Sequence, residues 1–271
     1  DLMRLALFGL EHPFGAPSTG REDVVSAVGR DDVVAWHAGA FGRRGRLVVA
    51  AGDVRAEALA GVLAERLASL PERGELVPYV PRLLLQGVTE LIASREKEQT
   101  AIAMGFAAPG PAHRDYPALL VLLELLSGMG GRLSSELRGR QSLAYTVSAF
   151  ELGLAVDNAV VCFIAGDASK EQASRAGLLH ELQKLREQPA SVDELVRSRS
   201  SLLGRRATGL QTLPARVGQL AWAELKGLGG DGYRVLGERI SGVTADDVLR
   251  VATCYLTLED HAIGIARGRG R

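Results

Sequence analysis

Apolar positions at helical spacing alternate along this chain with short unbroken apolar runs, and the two patterns predict a succession of helices and strands. Residues 2–9 read as the tail of an amphipathic helix closed by Gly9, followed by an irregular loop through Glu11-His12-Pro13-Phe14-Gly15, Pro17 and Gly20. Short helices are expected near 21–28 and 31–41, then an apolar strand at 46–52. Leu59, Val62, Leu63, Leu67 and Leu70 keep helical spacing across 55–70. Pro71, Gly74, Pro78 and Pro81 then make a stiff, extended stretch, the best linker candidate in the chain. Two strand-like runs follow, 88–94 and 99–107, joined as a hairpin by the charged turn Arg95-Glu96-Lys97-Glu98, whose glutamates face water. Tyr116 to Ser127 is a leucine-rich helix stopped by Gly128-Met129-Gly130-Gly131, and Leu133 to Gly139 a short helix. Residues 143–152 and 159–166 read as neighbouring strands around Gly153 and Asp157-Asn158. From 169 to about 256 the pattern is helical, interrupted near Pro189, Pro214 and Gly227–Gly230, and the last strand is 261–267. Thr244 is placed to N-cap the last helix, with Asp246 and Asp247 near the positive end of its dipole. Strands, a hairpin and then many helices predict an α+β fold: a mostly antiparallel sheet of about six strands with helices packed on one face.

Two stretches 215 positions apart superimpose without a gap. Ser26-Ala-Val-Gly-Arg-Asp31-Asp32-Val33 aligns with Ser241-Gly-Val-Thr-Ala-Asp246-Asp247-Val248, with five of eight residues identical. At the same offset the apolar run Leu47–Ala51 falls on Ala262–Ala266. Each copy reads as a helix followed by a strand, the mark of a duplicated domain. The first copy has little chain before it and begins at Asp1 in what looks like the middle of a helix, so on the order of 140 residues of the first domain are expected upstream. The division that follows is 1–71 as the remnant of a first domain, 72–87 as a linker and 88–271 as a complete second domain. The alternative is a single domain with a small helical prefix.

Composition narrows the class of function. Lysine plus arginine and aspartate plus glutamate both total 32, so no electrostatic footprint for nucleic acid exists, and Arg267-Gly-Arg269-Gly-Arg271 is a short terminal tail. No run of about 18 apolar residues occurs, so no membrane span is expected, and the chain reads as soluble, in cytoplasm or periplasm. Two cysteines, Cys162 and Cys254, sit among apolar residues and read as buried thiols; their number excludes a disulfide framework or a cysteine zinc site.

The strongest local pattern runs Gly128-Met-Gly130-Gly131-Arg132-Leu-Ser134-Ser135-Glu-Leu-Arg138-Gly-Arg140-Gln141-Ser-Leu143-Ala144-Tyr145. It resembles the non-metal half of the insulinase/pitrilysin family of zinc metallopeptidases, which includes the mitochondrial processing peptidases. Leu143-Ala144-Tyr145-Thr-Val-Ser148 is similar to that family's Leu-(Gly/Ala)-Tyr strand, and Glu98-Gln99-Thr-Ala-Ile102-Ala-Met-Gly105-Phe106 to its second-half opening strands. Glu11-His12-Pro13-Phe14-Gly15 resembles the His-Pro-(Tyr/Phe)-Gly segment of the metal-bearing half. Asp32-Val-Val-Ala-Trp36-His37 with Leu47-Val-Val-Ala-Ala-Gly52-Asp53-Val54 resembles its closing helix and strand.

The resemblance implies two homologous halves facing each other across a chamber, with zinc held in the first half by His-x-x-Glu-His and a distal Glu. No such motif occurs here: His12, His37, His113, His180 and His261 are scattered, and none has a second His at +4. A loop-packing role is expected for His12, a structural one for His37, and zinc only in the complete protein or a partner subunit. What the resemblance assigns to this chain is Arg138 and Tyr145. The guanidinium would clamp a backbone carbonyl or terminal carboxylate, and the phenol would donate to the oxyanion of the tetrahedral intermediate. Arg140 is expected to be solvated, and the glycine cluster to be a turn rather than a phosphate loop. The implied function is the C-terminal part of a zinc-dependent metalloendopeptidase that closes the peptide-binding chamber and is inactive alone. Alternatives are a non-catalytic subunit lending Arg138 and Tyr145 in trans, or a purely structural member. The implied partners are a peptide or unfolded polypeptide and the missing N-terminal half or another subunit, in a homo- or heterodimer. Strand 99–107, or whichever strand edges the sheet, is a candidate to pair with the peptide.

Overall fold

The computed structural model describes residues 1–40, 46–70, 85–128, 130–153 and 158–269. The expected linker lies almost wholly outside them, as do Met129 and Asp157. In chain order the elements are α1 (Leu2–Phe8), α2 (Glu22–Ala27), α3 (Arg30–Ala40), α4 (Ala56–Leu67), β1 (Thr89–Arg95), β2 (Gln99–Ala108) and α5 (Tyr116–Ser127). A π-helical turn, Ser134–Arg140, leads to β3 (Thr146–Glu151) and β4 (Asn158–Asp167). After a 3-10 turn at Ala168–Lys170 come α6 (Glu171–Glu187), α7 (Val192–Gly209), α8 (Leu213–Leu225), α9 (Gly232–Ser241), α10 (Ala245–Tyr255) and β5 (Ala262–Gly268). Among these described residues no helix is long and apolar enough to cross a membrane.

The fold is α+β, as the periodicity predicts. The described strands form one five-stranded sheet in the order β1-β5-β2-β4-β3, antiparallel at every interface except β1–β5. Two expectations need correction. Residues 88–107 are not a hairpin: β5 lies between β1 and β2. The 96–98 connection arches over the end of β5, where Arg269 N–H donates to the Lys97 carbonyl at 3.0 Å. Gly268 passes so close beneath it that a Cβ would stand 2.6 Å from the Lys97 oxygen and 2.7 Å from that of Gln99. Glu96 is exposed, as expected, and pairs with Arg269 at 3.0 Å. The segment 46–52 forms no strand. It has no ladder partner among the described residues, and a strand exists only through its neighbour's hydrogen bonds.

Ile102, Met104, Phe106, Val160, Cys162 and Ile164 are turned to one face of the sheet, where α5, α6 and α10 bury Leu119, Leu122, Leu126, Leu178, Leu182 and Val251. The other face has a floor of small residues. Met3, Leu7 and Phe8 of α1 pack there on Ala159, Val161 and Ala262. A Cβ on Gly105 or Gly264 would collide with Met3, so α1 lies directly on the strands. By contrast α2, α3 and α4 bury no residue.

The repeated segments share local geometry. α3 and α10 are both 11 residues long. Gly29 N–H donates to Asp32 Oδ2 at 2.9 Å, just as Thr244 N–H donates to Asp247 Oδ2 at 3.0 Å. Their surroundings differ: Val248 and Val251 are buried, while the matching Val33 and Trp36 are 54% and 65% exposed.

The cysteines divide. Cys162 is buried in β4, and burial alone pushes its thiol up to about 12. Cys254, expected to be buried, is exposed, because the core stripe of α10 is Val248, Val251 and Ala252 and residue 254 falls off it. A thiol reagent at neutral pH should therefore modify one cysteine per native chain, identified by peptide mapping as Cys254, and Cys162 only after denaturation.

Candidate functional site

The site is assembled by the chain between the end of α5 and the start of β3. The glycine cluster is a tight backbone turn, as its sequence suggests. Gly128 N–H bonds the Glu124 carbonyl at 2.6 Å and Gly131 N–H that of Gly128 at 2.7 Å, with Gly130 at φ 75°. A Cβ on Gly131 would lie 2.6 Å from the Leu126 carbonyl oxygen. The next residue, Arg132, fixes the turn to α7 by a two-pronged contact with Glu194 at 2.7 and 2.9 Å. Glu194 also completes the capping box of α7 with Ser191.

The Arg132 hydrogen bonds hold the Glu194 carboxyl at about 2, well below the ordinary carboxylate range. A depressed folded-state value contributes stability above the unfolded value, about 4.3, that is lost as pH falls toward 2. Glu194→Gln should cost about 2 kcal/mol at pH 7 and progressively less at lower pH, measured by denaturant titration at several pH values.

In the π-helical turn Leu137 is buried against α6, where a Cβ on Gly177 would come within 2.7 Å of Leu137 Cδ2. Anchoring Leu137 inward turns its neighbour Arg138 outward, where it is exposed. The turn closes with Gln141 N–H on the Glu136 carbonyl (2.9 Å) and Leu143 N–H on that of Leu137 (2.8 Å). Ser142 between them takes φ 52°, the one positive value at a non-glycine among the described residues. Lys170 Nζ donates to the Ser142 carbonyl at 2.8 Å and ties the turn to the end of β4.

Leu143 and Ala144 then lie against Gly166 of β4. Tyr145 N–H donates to the Ala165 carbonyl at 3.1 Å, although Thr146 is the residue in register with Ala165. Two residues thus face one, a bulge-like step that redirects the side chain. The Tyr145 side chain is 78% exposed.

Arg138, Ser142, Leu143, Ala144, Tyr145, Asp167 and Lys170 line one cavity of about 410 Å³. The two residues singled out from the sequence are therefore brought together. Their chemistry is available: among the described residues neither the guanidinium nor the phenol has a hydrogen-bond or ion-pair partner. Asp167 is engaged by Ser169, whose N–H and hydroxyl both bond Oδ1 and hold the carboxyl low. The cavity thus presents the Arg138 guanidinium and the Tyr145 phenol over an apolar floor of Leu143 and Ala144, with Lys170 held on the Ser142 carbonyl and the Asp167 carboxylate held by Ser169. Arg140 points to solvent and pairs with Glu136 at 3.1 Å. Lys170 and Ser142 went unrecognised in the sequence; nothing local marks them, because Lys170 reaches the turn only through the β3–β4 pairing.

A larger cavity, about 660 Å³, lies between Ala51–Gly52 and the α7–α9 helices. It carries less chemistry, since its Arg216 is committed to the Leu210 carbonyl at 2.9 Å. Zinc finds no donor set in the described residues, where no three His, Cys, Asp or Glu side chains converge. His12 Nδ1 instead accepts Phe14 N–H at 3.1 Å and its ring stacks on Phe8, while His37 is exposed on α3. His261 is buried against Phe106.

Comparison with known proteins gives a consistent result. Residues 27–202 match the family model described as the Peptidase M16 inactive domain. An uncharacterized zinc protease of Mycobacterium bovis is 29% identical over 231 residues, covering 83% of this chain and 52% of the relative. The chain thus spans about half the length of the curated relatives it matches. The crystal structure of a peptidase M16 inactive domain from Pseudomonas fluorescens superimposes with a TM-score of 0.87 at 18% identity, covering 97% of this chain and 63% of that one. A protease from Helicobacter pylori does so with a TM-score of 0.80 at 19% identity, over 94% of this chain and 63% of its own. At these identities the structures show a shared fold.

Proposed function

We propose, since this chain belongs to the peptidase M16 inactive-domain family, that it is the metal-free part of a zinc peptidase, closing a chamber over a peptide or unfolded segment and presenting Arg138 and Tyr145 to a zinc site carried elsewhere. The observation that carries this reading is the shared cavity in which both side chains stand without partners among the described residues. Arg138 is suited to hold a substrate carbonyl or carboxylate through its planar fork. Tyr145 is suited to donate a hydrogen bond where negative charge develops on the attacked carbonyl. The zinc, named in the relatives but without donors in the described residues here, would activate the attacking water from outside this chain.

The exposed face of α3 supports a second half. At the positions where α10 buries Val248 and Val251, α3 leaves Val33 and Trp36 in solvent. Leu47–Ala51, matching a β5 flanked on both sides, has no strand beside it among the described residues. A homologous half would cover these exposed apolar groups and give Leu47–Ala51 a strand to pair with.

The test is reconstitution. This chain plus zinc should leave a fluorogenic peptide intact, and mixing it with a separately produced zinc-bearing half should restore hydrolysis. Chelator-sensitive hydrolysis by this chain alone would overturn the reading, as would an unchanged rate when the zinc-bearing half is assayed without it.

A further inference from the structure

Side chains alternate along β5. Ala262 and Gly264 lie under α1, while His261, Ile263 and Ile265 turn to the helix-covered face. His261 is 3% exposed, its ring centroid is 5.3 Å from that of Phe106, and neither ring nitrogen has a hydrogen-bond partner among the described residues. A neutral imidazole is tolerated there as a flat plate in the core. An imidazolium, a buried charge with two donors left unmet, is not.

We infer that His261 is an acid-sensitive latch: when protonated it leaves the core and takes with it the 257–261 turn that pins the start of β1. The latch lies at the opposite end of the sheet from Tyr145, since Ala262 pairs with Gly105 whereas Thr146 pairs with Ala165, and it stands apart from the Arg138 and Tyr145 reading.

The turn couples the ring to the strand. Asp260 N–H bonds the Thr257 carbonyl at 3.1 Å, and Thr257 Oγ1 donates to the Asp260 carbonyl at 2.7 Å, so residues 257–260 close on themselves. The closed turn then reaches across to β1. Gly87 N–H donates to Asp260 Oδ1 at 2.6 Å and Thr89 N–H to the His261 carbonyl at 3.0 Å. Among the described residues β1 pairs with β5 alone, and these two bonds begin that ladder. Moving the imidazole out displaces the backbone that carries both acceptors, and the start of β1 is released.

The charges around the ring do not cancel the penalty of protonating it. Arg175 of α6, paired with Glu90 of β1 at 2.8 Å, opposes a second positive charge. Glu259, which also pairs with Arg186 at 3.4 Å, favours one, as do Asp260 and the Leu258 backbone. Phe106 of β2 brings no charge. Burial outweighs the rest and holds the imidazole below its ordinary value. A histidine depressed in this way leaves the closed turn at full strength above the unfolded value of about 6.5 and weakens it as pH falls through that value.

Hydrogen exchange read by mass spectrometry on the 271-residue chain tests the latch. After correction for intrinsic exchange, protection of 87–92 and 257–262 should fall about tenfold between about pH 7.5 and about pH 5.5, because an opened imidazole is then protonated about ten to one. Protection of α5 and β2 should not change. His261→Phe should abolish the response, and His113→Gln should keep it. If His261→Phe does not fold, the wild-type profile decides: opening should be level above about pH 7 and rise about tenfold per unit below about pH 6. A response that begins only below about pH 4.5 belongs to carboxylates and overturns the inference. So do a flat profile, a response that survives His261→Phe, and an equal loss in α5 and β2, which marks global unfolding.

Discussion

On the proposed reading, replacing Tyr145 by phenylalanine in the complete assembly should lower kcat by about 10²- to 10³-fold while leaving KM nearly unchanged, since losing one oxyanion donor is worth ~2.7–4 kcal/mol of barrier. The substitution is clean because the side chain is 78% exposed and its hydroxyl has no partner among the described residues. What ties Tyr145 into the fold is its backbone bond to Ala165, which phenylalanine keeps. The melting temperature should therefore stay where it is, separating a chemical effect from a structural one. Arg138→Ala should behave differently, raising KM as well, because a guanidinium that holds a carbonyl acts in the ground state too. Arg138→Lys should recover only part of the loss, since an ammonium cannot reproduce the planar fork. Steady-state kinetics on these three variants would read both parameters. If all retain wild-type kcat and KM, the pair is ornamental and the purely structural alternative is preferred.

The parts of the molecule that could be foreseen are those governed by local periodicity. The leucine run of α5, the Thr244 cap and the apolar alternation of β2 and β4 each carry their own signal, and each element forms within a few residues of its expected bounds. Arg138 and Tyr145 were singled out by the resemblance, not by local pattern, and they line one cavity because a turn, a helix and a strand follow one another without interruption. What escaped was decided by distant chain. Residues 88–107 have the composition of a hairpin, and only the insertion of β5, some 160 residues later, separates the two strands. Residues 46–52 have the composition of a strand but lack a neighbour among the described residues, and composition alone forms no ladder. Strand 99–107, one of the strands offered for peptide pairing from its sequence, is interior, and the edges of the described sheet are β1 and β3. Lys170 joined the site for the same reason, brought to Ser142 by β-pairing and not by sequence proximity.

Gly166→Ala should be the most damaging of three small substitutions beside the cavity, at Gly166, Gly177 and Gly139. Its Cβ would strike the Leu143 carbonyl oxygen and lie 3.2 Å from the Ala144 Cα and 3.3 Å from the Leu143 carbonyl carbon. All three are backbone atoms, so no rotamer change can relieve the contact, and either β4 or the 142–145 segment must shift. β4 is held by its pairing with β2, where Gly166 is opposite Thr100, so the segment carrying Tyr145 is the part that yields. Overpacking of this kind costs roughly 1–3 kcal/mol of stability. The displacement should cost more in activity than in stability, because a misplacement of about 1 Å at a reacting group can cost 10²-fold. Gly177→Ala is the informative contrast: its Cβ meets the Leu137 Cδ2 methyl at 2.7 Å, the far end of a flexible side chain that can move aside. Gly139→Ala, with its nearest neighbour at 3.6 Å, should be close to neutral. Denaturant unfolding and kcat/KM measured across the three variants should rank them Gly166, Gly177, Gly139 in decreasing effect. Wild-type kcat/KM for Gly166→Ala would mean that the position of the 142–145 segment does not govern the reaction, and with it would go the coupling of this strand to Tyr145.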